Sequence, residues 1–163
     1  MPLASLEQNR TVWSLSPEEL GLSPGELDVE QKWIQRFNDV ADELNWSKWQ
    51  EYWADDAFLV FGHKVRIEGR EALTRHFDTY LKLFKSSRHE LTRHSFDLTQ
   101  GLIYQTAKVT SIINGDPTAK PIATPIITII HKRVGESKLR GLEMYGDLSE
   151  VEDAIKQVMM SPS

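Results

Sequence analysis

Acidic and phenolic side chains recur at alternate positions near the end of the chain, at Glu143, Tyr145 and Asp147. We expect a strand here, and alternate residues of a strand share one face, so these side chains point the same way. A carboxyl group inside an apolar cavity has a raised pKa and can act as a general acid or base. All three are therefore candidate catalytic residues. The alternative is that Asp147 ends the strand and caps a helix that begins near Ser149.

The five histidines are a second source of proton-transfer chemistry, because imidazole titrates close to neutral pH. His89 begins a long predicted strand and is the fourth catalytic candidate. His63 ends an earlier strand, on the same face as Phe61. His76 is expected in a packing or surface position on a helix. His94 and His131 are expected to face solvent. No spacing matches a zinc motif, so we predict neither a metal nor a cofactor.

Aromatic residues are concentrated between positions 33 and 61, and most of them are expected in the core. Large flat side chains also form the walls of small-molecule sites. Thr124 and Thr128 share a strand face and can place hydroxyl groups in the same pocket, although β-branched residues are also ordinary strand residues. The candidate substrate-binding residues are Trp53, Phe61, His63, Tyr104, Thr124 and Thr128.

Hydrophobic periodicity and turn residues define the elements that must position these groups. Helices are predicted over 28–44, 47–54, 70–84 and 150–158, and strands over 58–63, 89–99, 102–114, 121–133 and 138–148. Residues 1–27 are predicted to be an arm whose short helix begins at Ser16, followed by a domain over 28–160 and a tail over 161–163. Strands joined by short turns pair antiparallel. The pattern therefore predicts an α+β fold with a curved antiparallel sheet on three helices.

The first long helix is amphipathic. Its apolar face is predicted to consist of Val29, Trp33, Phe37, Val40, Ala41 and Leu44. Glu30 and Asp42 fall on the opposite face, which we expect to contact solvent.

Composition narrows the function classes. The chain of 163 residues contains no cysteine, which excludes disulfides and thiolate chemistry. Its net charge of −5 argues against nucleic-acid binding, which needs a basic face. The first ten residues lack a secretory apolar core, and the most apolar run, 121–130, is too short to span a membrane. We expect a cytoplasmic protein.

Three strings resemble the nuclear transport factor 2-like superfamily, and within it the SnoaL-like branch. They are WSKWQEYWADDA over 46–57, IEGREALTRHF over 67–77 and KLRGLEMYGDL over 138–148. The resemblance extends over about 29–155. It implies a cone-shaped α+β barrel with an internal pocket, which commonly forms a homodimer through its sheet. Polyketide cyclases, ketosteroid isomerase, scytalone dehydratase and limonene epoxide hydrolase share this fold, which by itself does not select among them.

The resemblance also carries residue matches and departures. Asp147 falls where the epoxide hydrolase and several cyclases keep an acid, but the arginine and second aspartate of that hydrolase are not matched in Lys-Val-Thr over 108–110. Scytalone dehydratase is similar around Ala41-Asp42 and over 138–142. Its strand histidine is matched by His89 and its strand serine by Thr124. Its two water-positioning tyrosines are replaced by Ala41 and Phe61, and a second strand histidine by Gln105.

Two functions remain open from the sequence. The favoured one is a cofactor-independent isomerase, cyclase or dehydratase that acts by acid–base catalysis on a polyketide-like or terpenoid-like molecule of secondary metabolism. The alternative is a non-catalytic module that binds a small molecule or forms a dimer. An enzyme needs at least two convergent polar groups in its cavity, whereas a packed core leaves no polar group unsatisfied.

Overall fold

The computed structural model describes residues 12–13, 16–62 and 64–161. The helices are α1 (Pro17–Leu20), α2 (Pro24–Asp42), α3 (Trp46–Trp49), α4 (Arg70–Tyr80) and α5 (Ser149–Met160). The strands are β1 (Val12–Trp13), β2 (Trp53–Phe61), β3 (Ile67–Glu68), β4 (Phe84–Asp97), β5 (Leu102–Ile113), β6 (Ile122–His131) and β7 (Leu139–Tyr145). The predicted α+β order is confirmed, with β1 and β3 as short additions.

Two serine caps begin the helical part of the chain. Ser16 and Ser23 each form a capping box with a glutamate three residues later, and a proline follows each serine. Each box satisfies two backbone N–H groups that the first helical turn leaves free. The second box starts α2 at Pro24, four residues before the predicted position.

The strands form one sheet with the order β1-β4-β5-β6-β7-β2-β3, and this sheet is curved and unclosed. The pairs β4–β5, β5–β6 and β6–β7 are antiparallel, as their short turns require. The pairs β2–β7 and β1–β4 are parallel, so the sheet is mixed rather than wholly antiparallel. No short turn joins the members of either parallel pair, and packing rather than a turn sets their direction. No helix among the described residues is long and apolar enough to cross a membrane.

The buried face of helix α2 is rotated from the predicted one, although Phe37 and Ala41 of the predicted face are buried. Val29 is 58% exposed, whereas Glu30 and Asn38 are buried together with Ile34 and Phe37. The reason is that polar residues of this face have partners on the sheet. Three of them recur at multiples of four residues and contact the sheet one after another: Glu30, Asn38 and Asp42.

The core lies between the helices and the inner face of the sheet, which we define as the face that packs on them. Its centre is aromatic, with Trp46, Trp49, Trp53 and Phe77 in edge or stacked contact at centroid distances of 4.6–6.0 Å. Arg70 secures the start of β2, donating to the backbone oxygens of Gln50 and Trp53 at 2.7 Å each. This packing holds one end of the interior closed.

Candidate functional site

A cavity of about 100 Å³ lies beside this aromatic cluster, and Trp49 and Phe77 are among its lining residues. Its walls come from the end of α2, α3, α4, the inner face of the sheet and the start of α5. Most of the lining is aliphatic or aromatic. The polar members come from four elements, α4, β4, β5 and β6: Tyr80, Ser87, His89, Ser111 and Thr124. An apolar pocket with a few convergent polar groups is typical of a small-molecule site.

His89 lines this cavity, and its side-chain partner is Asp42, which lies behind it and is not among the lining residues. The Asp42 Oδ1 atom accepts from the Nδ1 atom of His89 at 2.5 Å, and its Oδ2 atom accepts from the His89 backbone N–H at 2.9 Å. Both oxygens of the Asp42 carboxylate thus accept hydrogen bonds from the same residue, His89. Asp42 ends α2 and His89 lies within β4, so the pair joins helix to sheet. Its position depends on packing between two rigid elements.

This pairing sets the chemistry of the ring. A carboxylate only accepts hydrogen bonds, so in the neutral ring the proton lies on Nδ1 and the Nε2 atom carries the lone pair. The Nε2 atom has no hydrogen-bond partner among the described residues. A histidine held in this tautomer by an acid is arranged to accept a proton at Nε2, and the carboxylate stabilises the imidazolium that forms.

Hydroxyl groups lie beside this pair in the strand register. His89 is opposite Val109, which is opposite Thr124, and Ser87 is opposite Ser111. Since neighbouring strands are about 4.8 Å apart, the backbone of Thr124 lies roughly 10 Å from the backbone of His89. These groups form a polar patch on an otherwise apolar wall.

Tyr80 is on the facing helix. Burial, and to a smaller extent the charge of Glu152, raises the pKa of the Tyr80 phenol to about 12. The phenol therefore stays protonated at neutral pH and can donate a hydrogen bond to an oxygen in the cavity. Sequence reasoning missed both Tyr80 and Asp42. The signal that points to Asp42 is its place in an i, i+4 series on α2, which consists of Glu30, Ile34, Asn38 and Asp42.

The predicted inward orientation of Asp147, Glu143 and Tyr145 is wrong. Leu142 and Met144 line the cavity, so alternation turns Glu143 and Tyr145 to the outer face of the sheet. Asp147 lies beyond the end of β7 and is exposed, and it accepts from the backbone N–H of Ser149 at 3.0 Å. Hydrogen bonds from the side chain and the backbone of Ser149 lower the pKa of the Asp147 carboxyl. The alternative prediction, that Asp147 caps the helix that begins near Ser149, therefore describes its environment.

The substrate-binding candidates separate into four groups. Phe61 and Thr124 line the cavity. Trp53 is fully buried in the aromatic core because β2 begins there, and Thr128 is buried further along the inner face; neither is among the lining residues. Tyr104 is on the outer face, since Ile103 and Gln105 take the inner one. His63 lies outside the described residues, so its role stays a prediction.

Two histidines predicted to face solvent make internal contacts. His94 is 1% exposed and its Nε2 atom is 3.0 Å from the Gln105 side-chain oxygen, in a buried network with Asn38. Burial lowers the pKa of His94 to about 4, so the ring is neutral. On the outer face His131 contacts Glu143 at 2.6 Å. His76 packs against Phe77 on α4, as expected.

A buried ion pair near the N-terminal end of α2 has a structural role. Glu30 and Lys132 are each 1% exposed and are 2.6 Å apart, and Glu30 also accepts from the Gly135 backbone N–H at 2.9 Å. Removing one partner of such a pair leaves an uncompensated buried charge. Among the described residues no group of three or more acidic or histidine side chains is arranged to hold a metal ion.

Comparison with known proteins gives one family and one fold. A family model described as the SnoaL-like domain matches residues 34–138, more than half of the chain. No curated protein sequence matches at a significant level. A proposed SnoaL-like polyketide cyclase from Jannaschia sp. CCS1 is 15% identical, with a TM-score of 0.62 over 80% of this chain and 92% of its own.

Two other solved structures are similar. A proposed isomerase from Bacillus subtilis is 17% identical, with a TM-score of 0.61 over 80% of this chain and 95% of its own. PrhC from Penicillium brasilianum is 9% identical, with a TM-score of 0.66 over 78% of this chain and 86% of its own. At these identities the similarity shows a shared fold.

Proposed function

The chain belongs to the family of SnoaL-like domains, and from this premise we propose that it is a cofactor-independent isomerase, cyclase or dehydratase. Its substrate class would be a polyketide-like or terpenoid-like small molecule. The single observation that carries the proposal is that His89, on the wall of an apolar cavity, is held by Asp42 at 2.5 Å. The pair supplies the proton acceptor that general acid–base catalysis needs.

The proposed reaction begins with proton abstraction. His89 Nε2 takes a proton from the carbon next to a substrate carbonyl, and the electron pair of the broken C–H bond moves onto the carbonyl oxygen as an enolate. Asp42 stabilises the resulting imidazolium. Tyr80 lines the same cavity, and its protonated hydroxyl donates a hydrogen bond to the enolate oxygen.

Three outcomes use the same imidazolium proton. Its return to a different carbon completes an isomerisation. Its transfer to a β-hydroxyl, which leaves as water, completes a dehydration. If the enolate carbon attacks a second carbonyl, the proton neutralises the new alkoxide and a ring is closed. The apolar walls exclude water and fold the substrate for whichever step follows.

Proton exchange tests the first step without knowledge of the natural substrate. 2-Tetralone is an enolisable bicyclic ketone, and NMR in deuterated water reports the loss of its α-protons. We expect the protein to accelerate this exchange above the buffer rate, and His89→Ala to lose the acceleration, since a positioned base contributes about 10²–10⁴-fold. No acceleration by the wild-type protein would contradict a base in the cavity and favour a non-catalytic binding module.

The outer face of the sheet supports a second proposal, a homodimer formed through this face. Tyr104, Ile127 and Tyr145 are exposed there on three neighbouring strands. Clustered large apolar side chains on a surface mark association sites. Light scattering after size-exclusion chromatography is expected to give twice the chain mass for the wild type and the monomer mass for Ile127→Glu. A monomeric wild type at micromolar concentration would refute this interface.

A further inference from the structure

A groove adjoins the catalytic cavity along the seam between α4 and α5. It has a volume of about 400 Å³ and shares four lining residues with the cavity: Phe61, Tyr80, Leu148 and Val151. The cavity alone, at about 100 Å³, is smaller than the 300–1,000 Å³ of common small-molecule sites. A substrate of ordinary size that places its ring in the cavity therefore extends past Tyr80 into this groove.

The outer part of the groove carries a positive charge balance. Its ionisable lining consists of Lys64, Lys156 and Glu152, together with His76. Lys64, which lies between β2 and β3, pairs with Glu152 of α5 at 3.0 Å. Lys156 makes no ion pair among the described residues. One cation thus faces the groove without a compensating carboxylate.

His76 adds a polar group to the same wall. Its Nε2 atom is buried and has no hydrogen-bond partner within the described residues. Burial, followed by the charge of Lys64, lowers the pKa of His76, so the ring is neutral and can donate one hydrogen bond. A buried polar atom without a partner is destabilising unless a ligand or water satisfies it.

From this geometry we infer that the groove is the subsite for a carboxylate on the substrate, bound by Lys156 and His76 while the reacting ring lies against His89. The inference rests on the proposed function and names its substrate class more closely. The substrate is an apolar ring compound with an ionised carboxylic acid at the end away from the enolisable carbon. Lys64 offsets the charge of Glu152, which leaves Lys156 as the net positive charge of the groove lining.

A matched pair of probes tests this subsite. 2-Naphthol fills a ring site without a charge, and 6-hydroxy-2-naphthoate adds one carboxylate, ionised at neutral pH. Isothermal titration calorimetry gives the affinity ratio of the two. We expect the naphthoate to bind about fivefold more tightly at low salt, as a partly exposed ion pair allows, and the ratio to approach one in about 0.5 M NaCl.

Charge variants assign the effect to the groove. Lys156→Gln is expected to reduce the ratio about threefold, and Lys156→Glu to reverse the preference, while 2-naphthol affinity stays unchanged. The control is Lys85→Glu, an exposed lysine of β4 that does not line the groove, and it should keep the wild-type ratio.

The outcomes separate this inference from the proposed function. If 2-naphthol binds, and the ratio is one or does not respond to Lys156, the cavity holds a ligand but the carboxylate subsite is wrong. If neither probe binds, the ligand site in the cavity fails, and the subsite fails with it. If Lys85→Glu changes the ratio as much as Lys156→Glu, the preference is a long-range effect of net charge and the subsite is refuted.

Discussion

Two histidine–carboxylate pairs of almost the same geometry lie on opposite faces of one sheet. The inner pair, His89–Asp42, has an N···O distance of 2.5 Å, and the outer pair, His131–Glu143, has one of 2.6 Å. The side chains of the inner pair are 22% and 21% exposed, and those of the outer pair 23% and 24%. Distance and burial therefore do not distinguish them.

Their surroundings do distinguish them. The inner pair borders the apolar cavity and the strand hydroxyls. The outer pair is enclosed by its own partners, since Tyr145 donates to Glu143 at 2.7 Å and the His131 ring meets Phe58 edge-on at 4.8 Å. Burial raises the pKa of Glu143, but the hydrogen bonds from His131 and Tyr145 outweigh it, and the net direction is down. A proton carrier needs an adjoining site for a substrate, and among these two pairs only the inner one has a residue, His89, that lines the cavity.

The largest expected effect is the contrast between alanine variants of the two histidines. His89→Ala should reduce 2-tetralone exchange about 10³-fold, or about 4 kcal/mol, whereas His131→Ala should stay within about twofold of the wild type. NMR exchange rates on both variants, with circular dichroism to confirm folding, make the measurement. Equal losses of exchange rate in the two variants would mean that contact with the cavity does not determine which histidine acts as the base.

A third histidine, His94, shows the effect of burial on the pKa of the ring. His94 has a pKa of about 4 in the folded chain against 6.5 unfolded, so between these values the unfolded state binds a proton that the native state does not. Stability is therefore present above pH 6.5 and is lost as pH falls towards 4, by about 3 kcal/mol. Urea unfolding at pH 7, 5.5 and 4 measures this loss. His94→Gln should show a shallower pH dependence, and an unchanged slope would assign the loss to other groups.

A smaller effect separates the two carboxylates. Asp42→Asn keeps the shape of the pair, but its amide can donate to Nδ1 and hold the ring in the wrong tautomer, so exchange should fall about 30-fold. The matched change on the outer face, Glu143→Gln, should leave exchange within about twofold of the wild type. A pH–rate profile of each variant checks that the loss belongs to the base. An unaffected Asp42→Asn would leave His89 acting without its partner.

The fold could be predicted because its signals are local. Serine caps, turn residues and apolar periodicity identified the main helices and strands, although β2 and β4 each begin five residues before the predicted start. Short turns required the antiparallel meander from β4 to β7. Which face of a strand or helix is buried is a weaker signal. On β7 the predicted phase was taken from Asp147, which lies beyond the last residue of the strand, Tyr145. Because side chains alternate with a period of two, taking the phase from this residue assigned the wrong face of β7 to the cavity.

The site was predictable only in part, for the same reason. His89, Phe61 and Thr124 were selected from the sequence and line the cavity. Asp42 was assigned to solvent, since an acid on an amphipathic helix is normally exposed. Nothing local to Asp42 indicates that the backbone and side chain of His89, 47 residues later, bind its two oxygens.

By itself, then, the sequence determined the fold class, the family resemblance and a histidine candidate on the correct face. It did so through caps, periodicity and turns, which act between residues close in the chain. The tertiary structure decided which carboxylate joins that histidine, which face of β7 reaches the cavity, and that a groove with an unpaired lysine continues it. These features depend on how α2, α4 and α5 pack on a curved sheet, and contacts between residues distant in sequence set that packing.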